Sequence, residues 1–161
     1  MKNCLLFASL LIVSCSGCSK HEMGCTSVKP EAEEPKILAY AAKDSINATK
    51  HSSGIYYQIV NPGNGNTPTR NSTIKVAYVG KLLNETIFNQ GSNENKEPWA
   101  LSSFIEGWQI GIPLIKKGGR IKLIIPSAYA YGCNPTKDDN GNVLIPGNSV
   151  LFFDINLIDV Q

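Results

Sequence analysis

The stretch Ser103-Phe104-Ile105-Glu106-Gly107-Trp108-Gln109-Ile110-Gly111-Ile112 decides the fold of this chain. Four of its apolar residues recur at helical spacing and share one face of a short helix: Phe104, Ile105, Trp108 and Ile112. Ser103 followed by Glu106 has the pattern of a capping box, and Pro113 follows the last apolar residue. The sequence therefore predicts one short helix over residues 103–112, whose apolar face must be covered by another element.

Four segments around this helix alternate apolar and polar residues with the period of a half-buried strand. They are residues 55–60, 74–78, 120–125 and 151–157. The first segment ends in the turn-forming run Asn61-Pro62-Gly63-Asn64-Gly65, and the third stops at Pro126. We expect an α+β fold in which a curved antiparallel β-sheet wraps around one short α-helix.

Composition narrows the class of protein. The chain has 161 residues, with 42% hydrophobic residues, 14 Gly and 9 Pro, which is typical of one folded, turn-rich domain. Lys and Arg total 15 against 13 Asp and Glu, a formal charge of +2, and the sequence contains no basic cluster. Nucleic-acid binding requires such a basic patch, so no nucleic-acid partner is expected.

The N-terminus has the pattern of an export signal. A positive charge precedes Leu5 to Val13, an uncharged apolar run of nine residues that is too short to span a bilayer. The run leads into Ile12-Val13-Ser14-Cys15, which resembles the lipobox of bacterial lipoproteins. Residues 1–14 are therefore expected to be a lipoprotein signal peptide, with the lipid on Cys15 or, alternatively, on Cys18. The protein is then exported and lipid-anchored to a bacterial membrane, on the periplasmic side or at the outer membrane.

The cysteines are distributed unevenly. Four of the five lie in the first 25 residues, so the sequence does not indicate a disulfide framework. An alternative for this region is a zinc knuckle formed by Cys15, Cys18, His21 and Cys25, which the adjacent apolar run and the lipid anchor disfavour. Cys25 and Cys133 are either free thiols or a disulfide pair, and the sequence leaves both open.

Residues 15–53 are predicted to be a tether that includes a short helix. Ser27 to Pro35 is polar and contains two prolines, which favours an extended linker. Lys36 to Ile46 has an apolar stripe at helical spacing, formed by Ile37, Tyr40 and Ala41. We expect this helix to pack on the following domain or to hold it away from the membrane, and residues 54–161 to form the folded body.

Eight ordered segments of the body resemble the FKBP-type peptidyl-prolyl cis-trans isomerase family. Three of them are Val76-Ala77-Tyr78-Val79-Gly80, Phe104-Ile105-Glu106-Gly107-Trp108-Gln109-Ile110-Gly111 and Ala128-Tyr129-Ala130-Tyr131-Gly132. The other five are Thr86 to Asn89, Pro98-Trp99, Gly118 to Leu123, Ile145 to Asn148 and Leu151 to Asp154. The resemblance implies the family fold over residues 54–161 and rotation about Xaa-Pro peptide bonds in polypeptides, with neither a cofactor nor a metal.

The resemblance also implies an aromatic pocket between the sheet and the helix. The catalytic set that it implies is Tyr78, Phe88, Asn89, Trp108, Tyr131 and Phe153. The substrate-binding set is Trp99, Phe104, Ile105 and, closing the far side, Leu144 and Ile145. In this scheme Trp108 lies under the proline ring, and the other aromatic residues form walls and rim. The backbone N–H of Ile105 and the hydroxyl of Tyr131 bind carbonyl groups of the substrate.

Two features keep a second interpretation open. Tyr78 and Phe153 lie on strand faces that are buried in any case, so core packing explains them as well as substrate contact does. Asn89 stands where the family most often has Asp, and the loss of that charge weakens the polar network near Tyr131. The alternative function is therefore a weakly active FKBP-like module that binds peptides or acts as a chaperone.

The resemblance implies proline-containing unfolded or extended polypeptides as partners and macrolide inhibitors as ligands of the same pocket. A monomer is expected, because the segment before Gly54 is too short for the helical dimerisation domain of some exported relatives. The loop between Gly132 and Pro146 contains a hairpin turn signal, Asp139-Asn140-Gly141-Asn142, beside the expected pocket mouth. The pair Asp138-Asp139 is more typical of a solvated loop tip than of a metal site.

Overall fold

The computed structural model describes residues 24–161 of the chain. The α-helices in this range are α1 (Pro30–Lys43) and α2 (Glu106–Gly111). The strands are β1 (Thr49–Lys50), β2 (Tyr56–Asn61), β3 (Thr73–Leu82), β4 (Ile87–Ser92), β5 (Trp99–Ala100), β6 (Arg120–Ile125), β7 (Thr136–Lys137), β8 (Val143–Ile145) and β9 (Leu151–Val160). The expected signal peptide over residues 1–14, together with Cys15, Cys18 and His21, lies outside the described residues.

Seven strands form one antiparallel sheet in the order β1-β2-β6-β9-β3-β4, and β5 also pairs with β3. The longest strands, β3 and β9, lie side by side in this sheet. Their register shifts between Lys75 and Val76, and the register of β3 with β4 shifts between Gly80 and Lys81. Such irregularities bend strands, so they give the sheet its curvature. The predicted α+β fold with a curved antiparallel sheet is confirmed.

The inner face of the sheet packs against α2. Its buried side chains come from alternate positions of three strands: Ile74 and Val76 of β3, Ile121, Leu123 and Ile125 of β6, and Leu151, Phe153, Ile155 and Leu157 of β9. Trp108 and Ile112 complete this core from the side of the helix. The approach is close, because a Cβ atom at Gly111 would lie 2.6 Å from the Leu123 side chain, and Gly107 meets Ile125 in the same way. Glycine at these two positions therefore lets α2 pack directly on β6.

The helix begins later than the capping-box pattern predicts. Ser103 ends a short 3-10 turn, and its hydroxyl donates to the carbonyl of Ala100 at 2.7 Å. Phe104 and Ile105 are extended, and α2 starts at Glu106 with no side-chain cap. The predicted cap is wrong, because the hydroxyl that would cap α2 already stabilises the preceding turn.

The helix α1 covers the outer face of the sheet. Its apolar stripe packs on side chains that point away from α2, and the group consists of Ile37, Tyr40, Ala41, Ile46, Tyr56, Ile124, Val150 and Phe152. The rings of Tyr40 and Phe152 lie 5.5 Å apart. The predicted stripe and its packing on the body are confirmed. Neither α1 nor α2, the helices of residues 24–161, has the length and apolar character of a membrane-spanning segment.

The prediction of an extended linker over Ser27 to Pro35 is wrong from Pro30 onward. The helix already begins at Pro30, since proline at the first helical position loses no hydrogen bond. Pro35 lies inside α1, where its missing N–H leaves one helical hydrogen bond unmade. Contacts of α1 with the body offset that cost. The Glu34 carboxylate accepts hydrogen bonds from the Tyr56 hydroxyl and from Lys50 Nζ, the latter at 2.8 Å.

Residues 24–43 are here called the N-terminal arm. The start of this arm is also fixed to the body. Cys25 forms a disulfide with Cys133, and their Cα atoms lie 5.5 Å apart. The disulfide decides between the two states that the sequence left open, and it removes Cys25 from the ligand set of the alternative zinc knuckle. The arm therefore packs along the body instead of tethering it loosely.

The loop after Gly132 forms the predicted hairpin, with β7 paired to β8. At its tip the Asp138 carboxylate accepts hydrogen bonds from the backbone N–H groups of Asn140 and Asn142, at 2.9 and 2.8 Å. The Asn142 side chain donates a further bond at 3.0 Å, and these bonds lower the pKa of Asp138. The carboxylate thus stabilises the turn as an acceptor.

Candidate active site

A cavity of about 220 Å³ opens between the inner face of the sheet and the start of α2. Eight residues line it: Tyr78, Asn89, Ser103, Phe104, Ile105, Trp108, Tyr131 and Phe153. They come from β3, β4, the 3-10 turn and the extended segment before α2, α2 itself, the loop after β6, and β9. None of the eight side chains carries a charge, so the cavity has an apolar body with a few neutral hydrogen-bonding groups.

Trp108 lies at the centre of the aromatic lining. Its ring stacks on Phe104 with centroids 4.7 Å apart and an angle of 17° between the planes. Tyr78 and Phe153 meet the same ring edge to face, at 5.0 and 5.2 Å. Such pairs stabilise a fixed arrangement beyond the area that they bury. Trp108 is 2% exposed, and its Nε1 has no hydrogen-bond partner among the described residues.

Tyr78 and Asn89 form the polar edge of the cavity. The Tyr78 hydroxyl donates to Asn89 Oδ1 at 3.2 Å. Burial raises the pKa of Tyr78, and the neighbouring phenol of Tyr131 raises it further. Burial alone raises the pKa of Tyr131. Both phenols therefore keep their protons throughout the physiological range and remain hydrogen-bond donors.

Tyr131 presents an accessible donor at the cavity. The residue is 41% exposed, although its ring borders the cavity. Its hydroxyl forms no hydrogen bond within the described part of the chain. A second donor is the backbone N–H of Ile105, which likewise has no acceptor among residues 24–161. Tyr131 and Ile105 thus offer two neutral donors to a bound carbonyl group.

Gln109 holds the extended segment that carries Ile105. Its Nε2 donates to the carbonyls of Ser102 and Phe104 at 3.2 and 2.6 Å. Its Oε1 accepts two hydrogen bonds from the Arg70 guanidinium, at 3.0 and 2.8 Å. Sequence reasoning missed this pair, because Arg70 lies 39 residues before Gln109 and no local pattern joins them. Ser103, which lines the cavity, was also missed as a site residue.

Seven of the eleven predicted site residues line the cavity: Tyr78, Asn89, Phe104, Ile105, Trp108, Tyr131 and Phe153. Phe88 and Trp99 are not part of this lining but pack against it, with Phe88 5.6 Å from Phe153 and Trp99 5.9 Å from Phe104 between ring centroids. Ile145 is buried in the inner core, and Leu144 is exposed on the hairpin strand β8. Neither Leu144 nor Ile145 is brought to the lining.

A larger groove of about 330 Å³ involves the opposite face of the sheet, and its chemistry is different. Its charged residues are Lys81, Arg120 and Asp154. Arg120 pairs with Asp154 at 2.7 Å, and Lys81 pairs with Glu85 at 3.1 Å. Solvated ion pairs do not form a dry apolar surface, so the smaller aromatic cavity is the better site for a ring of carbon atoms.

Comparisons with known proteins agree with this geometry. The sequence profile described as "FKBP-type peptidyl-prolyl cis-trans isomerase" matches residues 64–158. A protein of Buchnera aphidicola subsp. Schizaphis graminum, named FKBP-type peptidyl-prolyl cis-trans isomerase FkpA, is 43% identical over 137 residues. That match covers 84% of this chain and 52% of the relative. A probable FKBP-type isomerase of Haemophilus influenzae is 35% identical, with 89% of this chain and 57% of the relative covered.

Two solved structures resemble the fold. The crystal structure of FkpA from Escherichia coli has a TM-score of 0.66 and 35% identity, and the match covers 82% of this chain and 61% of that one. The isomerase structure from Pseudomonas syringae has a TM-score of 0.64 and 30% identity, with 84% of this chain and 98% of that one covered. This chain spans about half the length of the curated relatives that it matches. By the profile match over residues 64–158, the chain belongs to the FKBP-type peptidyl-prolyl cis-trans isomerase family.

Proposed function

We propose that this chain catalyses the cis–trans isomerisation of Xaa-Pro bonds in polypeptides. The observation that carries the proposal is the uncharged aromatic cavity around Trp108, bordered by two free neutral donors. Rotation about a peptide bond needs no nucleophile and no proton transfer, since no covalent bond is made or broken. A site without charged groups is therefore suited to this reaction.

The barrier arises from amide resonance. Twisting the planar amide costs about 18–20 kcal/mol, because the partial double bond between carbon and nitrogen is lost. The twisted amide is less polar across that bond than the planar one. A dry apolar cavity therefore stabilises the twisted form relative to the planar form better than water does. In this scheme Trp108 lies under the pyrrolidine ring, while Tyr78, Phe104 and Phe153 enclose it.

The polar groups hold the substrate while the bond rotates. The N–H of Ile105 and the hydroxyl of Tyr131 donate to carbonyl groups that flank the proline. Gln109 fixes the first donor through the Phe104 carbonyl. The Tyr78 hydroxyl is already bound to Asn89, so it shapes the rim and leaves substrate binding to Tyr131. Phe88 and Trp99 pack against the walls.

The exposed position of Tyr131 at the cavity edge suits extended or unfolded chains, which present a proline without steric hindrance. Macrolide inhibitors are proposed as ligands of the same cavity, because they offer a similar ring and carbonyl groups. Exchange spectroscopy on a short Xaa-Pro peptide tests the activity. At catalytic concentrations the purified chain should accelerate the cis–trans exchange of the peptide. If exchange stays at its spontaneous rate even when the chain is concentrated enough to saturate the peptide, the proposal is overturned.

A second candidate function is peptide binding with little isomerisation. Asn89 favours it, because an amide is a weaker acceptor for the Tyr78 hydroxyl than the carboxylate usual in the family. The variant Asn89→Asp distinguishes the two candidates. If the native chain isomerises efficiently, the substitution changes kcat/KM by less than about threefold. A rise of about tenfold or more would show that Asn89 limits turnover and would favour the binding function.

We also propose that the protein is exported and held by a lipid on Cys15, with Cys18 as the alternative and residues 54–161 as the isomerase domain. The lipobox-like sequence before Cys15 supports the anchor. The Cys25–Cys133 disulfide supports an oxidising compartment, since structural disulfides are rare in the cytosol. Membrane fractionation of Cys15→Ala tests the anchor. Release into the soluble fraction is expected, and unchanged membrane attachment would transfer the assignment to Cys18 or end it.

A further inference from the structure

Ser127 controls the short loop that carries Tyr131. The residue opens the 3-10 turn Ser127–Tyr129 after β6. Its carbonyl accepts hydrogen bonds from the N–H groups of Ala130 and Gly132, at 3.0 and 2.8 Å. These two donors belong to the residues on either side of Tyr131, so the chain is held to one oxygen both before and after the tyrosine. The position of Ser127 therefore sets the position of Tyr131.

The N–H of Ser127 is held by a side chain of the N-terminal arm. Glu33 Oε2 accepts this hydrogen bond at 2.8 Å, across 94 residues of sequence. Glu33 is 1% exposed and Ser127 is fully buried. The loss of this hydrogen bond would leave a buried N–H without an acceptor.

The same arm holds the loop beyond Tyr131. Cys133, two residues after Tyr131, is joined to Cys25 by the disulfide. Asn148 donates its backbone N–H to the Gly132 carbonyl at 2.8 Å. Its side chain accepts from the Val28 N–H at 3.2 Å and donates to the Thr26 carbonyl at 3.1 Å. Residues of the arm therefore fix the Tyr131 loop both before and after the tyrosine.

We propose that Glu33 is a positioning residue for isomerisation, which sets the Tyr131 hydroxyl through Ser127. Glu33 lies outside residues 64–158, the part that matches the family profile. The catalytic apparatus of this protein therefore extends into the N-terminal arm. The inference rests on the proposed function, because Tyr131 must bind substrate for its position to matter.

The test compares Glu33 variants with and without the Tyr131 hydroxyl, in the full chain. Glu33→Ala should lower kcat/KM by no more than Tyr131→Phe does, about two- to tenfold, and mainly through kcat, because a displaced donor fails chiefly in the twisted state. In the Tyr131→Phe background the same substitution should cost less than about twofold, because the group through which it acts is already gone. Glu33→Gln keeps an acceptor oxygen and should restore kcat/KM to within about twofold of the native value.

Glu34→Ala is the matched control. Glu34 is the next residue of α1 and also bonds to the body, but through Tyr56 and Lys50 and away from the Tyr131 loop. Its loss should leave kcat/KM within about twofold of the native value, even though the chain is less stable. If Glu33→Ala fails to fold, Glu33→Asp, which retracts the carboxylate by one methylene, enters the same comparison.

Amide hydrogen exchange gives a readout that does not depend on activity. In Glu33→Ala the amides of Ala130 and Gly132 should exchange at least about tenfold faster than in the native chain, while Glu34→Ala leaves them unchanged. Unchanged exchange at both amides would overturn the proposal. An equal loss of kcat/KM in the native and Tyr131→Phe backgrounds would overturn it as well. If the native chain shows no isomerisation, the proposed function has failed, and the exchange result alone decides whether Glu33 orders the loop.

Discussion

The aromatic cavity and the N-terminal arm are built in opposite ways, although they meet at the Tyr131 loop. Cavity residues belong to short sequence motifs, and stacked or edge-to-face rings around Trp108 hold them together. The arm packs on the outer face of the sheet through the apolar stripe of α1, and individual side-chain contacts attach it further: the Cys25–Cys133 disulfide, Glu33 to Ser127, and Glu34 to Tyr56 and Lys50. The cavity therefore gives the chemistry, while the arm determines how firmly one of its walls is held.

This difference separates stability from activity. Contacts of α1 on the outer face of the sheet should affect the free energy of unfolding and leave the cavity intact. Contacts among the rings of the inner face should affect both. Contacts between the arm and the Tyr131 loop should affect the free energy of unfolding and, to a smaller extent than the rings of the inner face, the activity.

A large effect on stability is expected from the disulfide. It closes a sequence separation of 108 residues, and removing such a crosslink costs about 2 to 5 kcal/mol of unfolding free energy. The double variant Cys25→Ala, Cys133→Ala should show this loss in denaturant unfolding. The native chain should show the same loss after reduction, while the variant does not respond to the reductant. If the reductant leaves the unfolding midpoint of the native chain unchanged, the assignment of the disulfide is contradicted.

The separation of stability from activity is tested next by replacing one aromatic residue on each face of the sheet. Trp108→Ala removes a buried ring from the inner face, which costs about 3–5 kcal/mol of stability. It should also abolish most of the isomerisation, because the floor of the cavity is lost. Tyr40→Ala opens the outer cluster at Phe152 and should cost a similar stability.

Activity per folded molecule is the quantity that distinguishes these two variants. It should fall at least about fiftyfold in Trp108→Ala and stay within about threefold of the native value in Tyr40→Ala, measured at a temperature where both are folded. A loss in Tyr40→Ala as large as that in Trp108→Ala would show that the outer face is as important for catalysis as the inner one.

Tyr131→Phe should have a smaller effect that is confined to activity. A single hydrogen bond contributes about 0.5–1.5 kcal/mol, so kcat/KM should fall about two- to tenfold. Stability should not change, because the Tyr131 hydroxyl has no partner among the described residues. Tyr129→Phe, in the same loop, is the matched control and should leave kcat/KM unchanged. Equal losses in the two variants would contradict the role of the Tyr131 hydroxyl.

The smallest effect is expected from pH. Burial raises the pKa of Tyr78 and of Tyr131 above the ordinary phenol value, and no charged side chain lines the cavity. The kcat/KM profile should therefore be flat between about pH 6 and 9. Because these phenols are favoured in their protonated form by folding, their contribution to stability is complete below about pH 10 and is lost as the pH rises through the folded values. A titration step near neutral pH in the kcat/KM profile would contradict this prediction, because it would indicate an ionising group in the reaction.

The sequence predicts the inner face well because its signals are local. Alternation in the strands and helical spacing in residues 103–112 place Trp108, Tyr78 and Phe153 on facing surfaces. The family resemblance then assigns a cavity to them. Phe88 and Trp99 contact Phe153 and Phe104 without lining the cavity, because local alternation and motif resemblance do not determine which of two neighbouring rings faces the cavity.

The contacts between the arm and the Tyr131 loop could not be predicted in the same way, because the Cys25–Cys133 disulfide and the Glu33–Ser127 hydrogen bond span 108 and 94 residues. The prolines of Ser27 to Pro35 predict a linker, whereas Pro30 is compatible with the start of a helix. A carboxylate in a polar segment gives no indication of burial, so Glu33 was not singled out. Similarly, Gln109 and Arg70 reveal their pairing only in three dimensions.

The most direct test of the central claim is a titration of the isotope-labelled chain with a short Xaa-Pro peptide, followed by NMR. If isomerisation takes place in the inner cavity, the indole N–H of Trp108 and the amides of Ile105 and Gly132 should show the largest shift changes. The amides of Ala41 and Ile124, on the outer face, should stay unchanged. Shift changes confined to the outer groove around Arg120 and Asp154 would contradict the account.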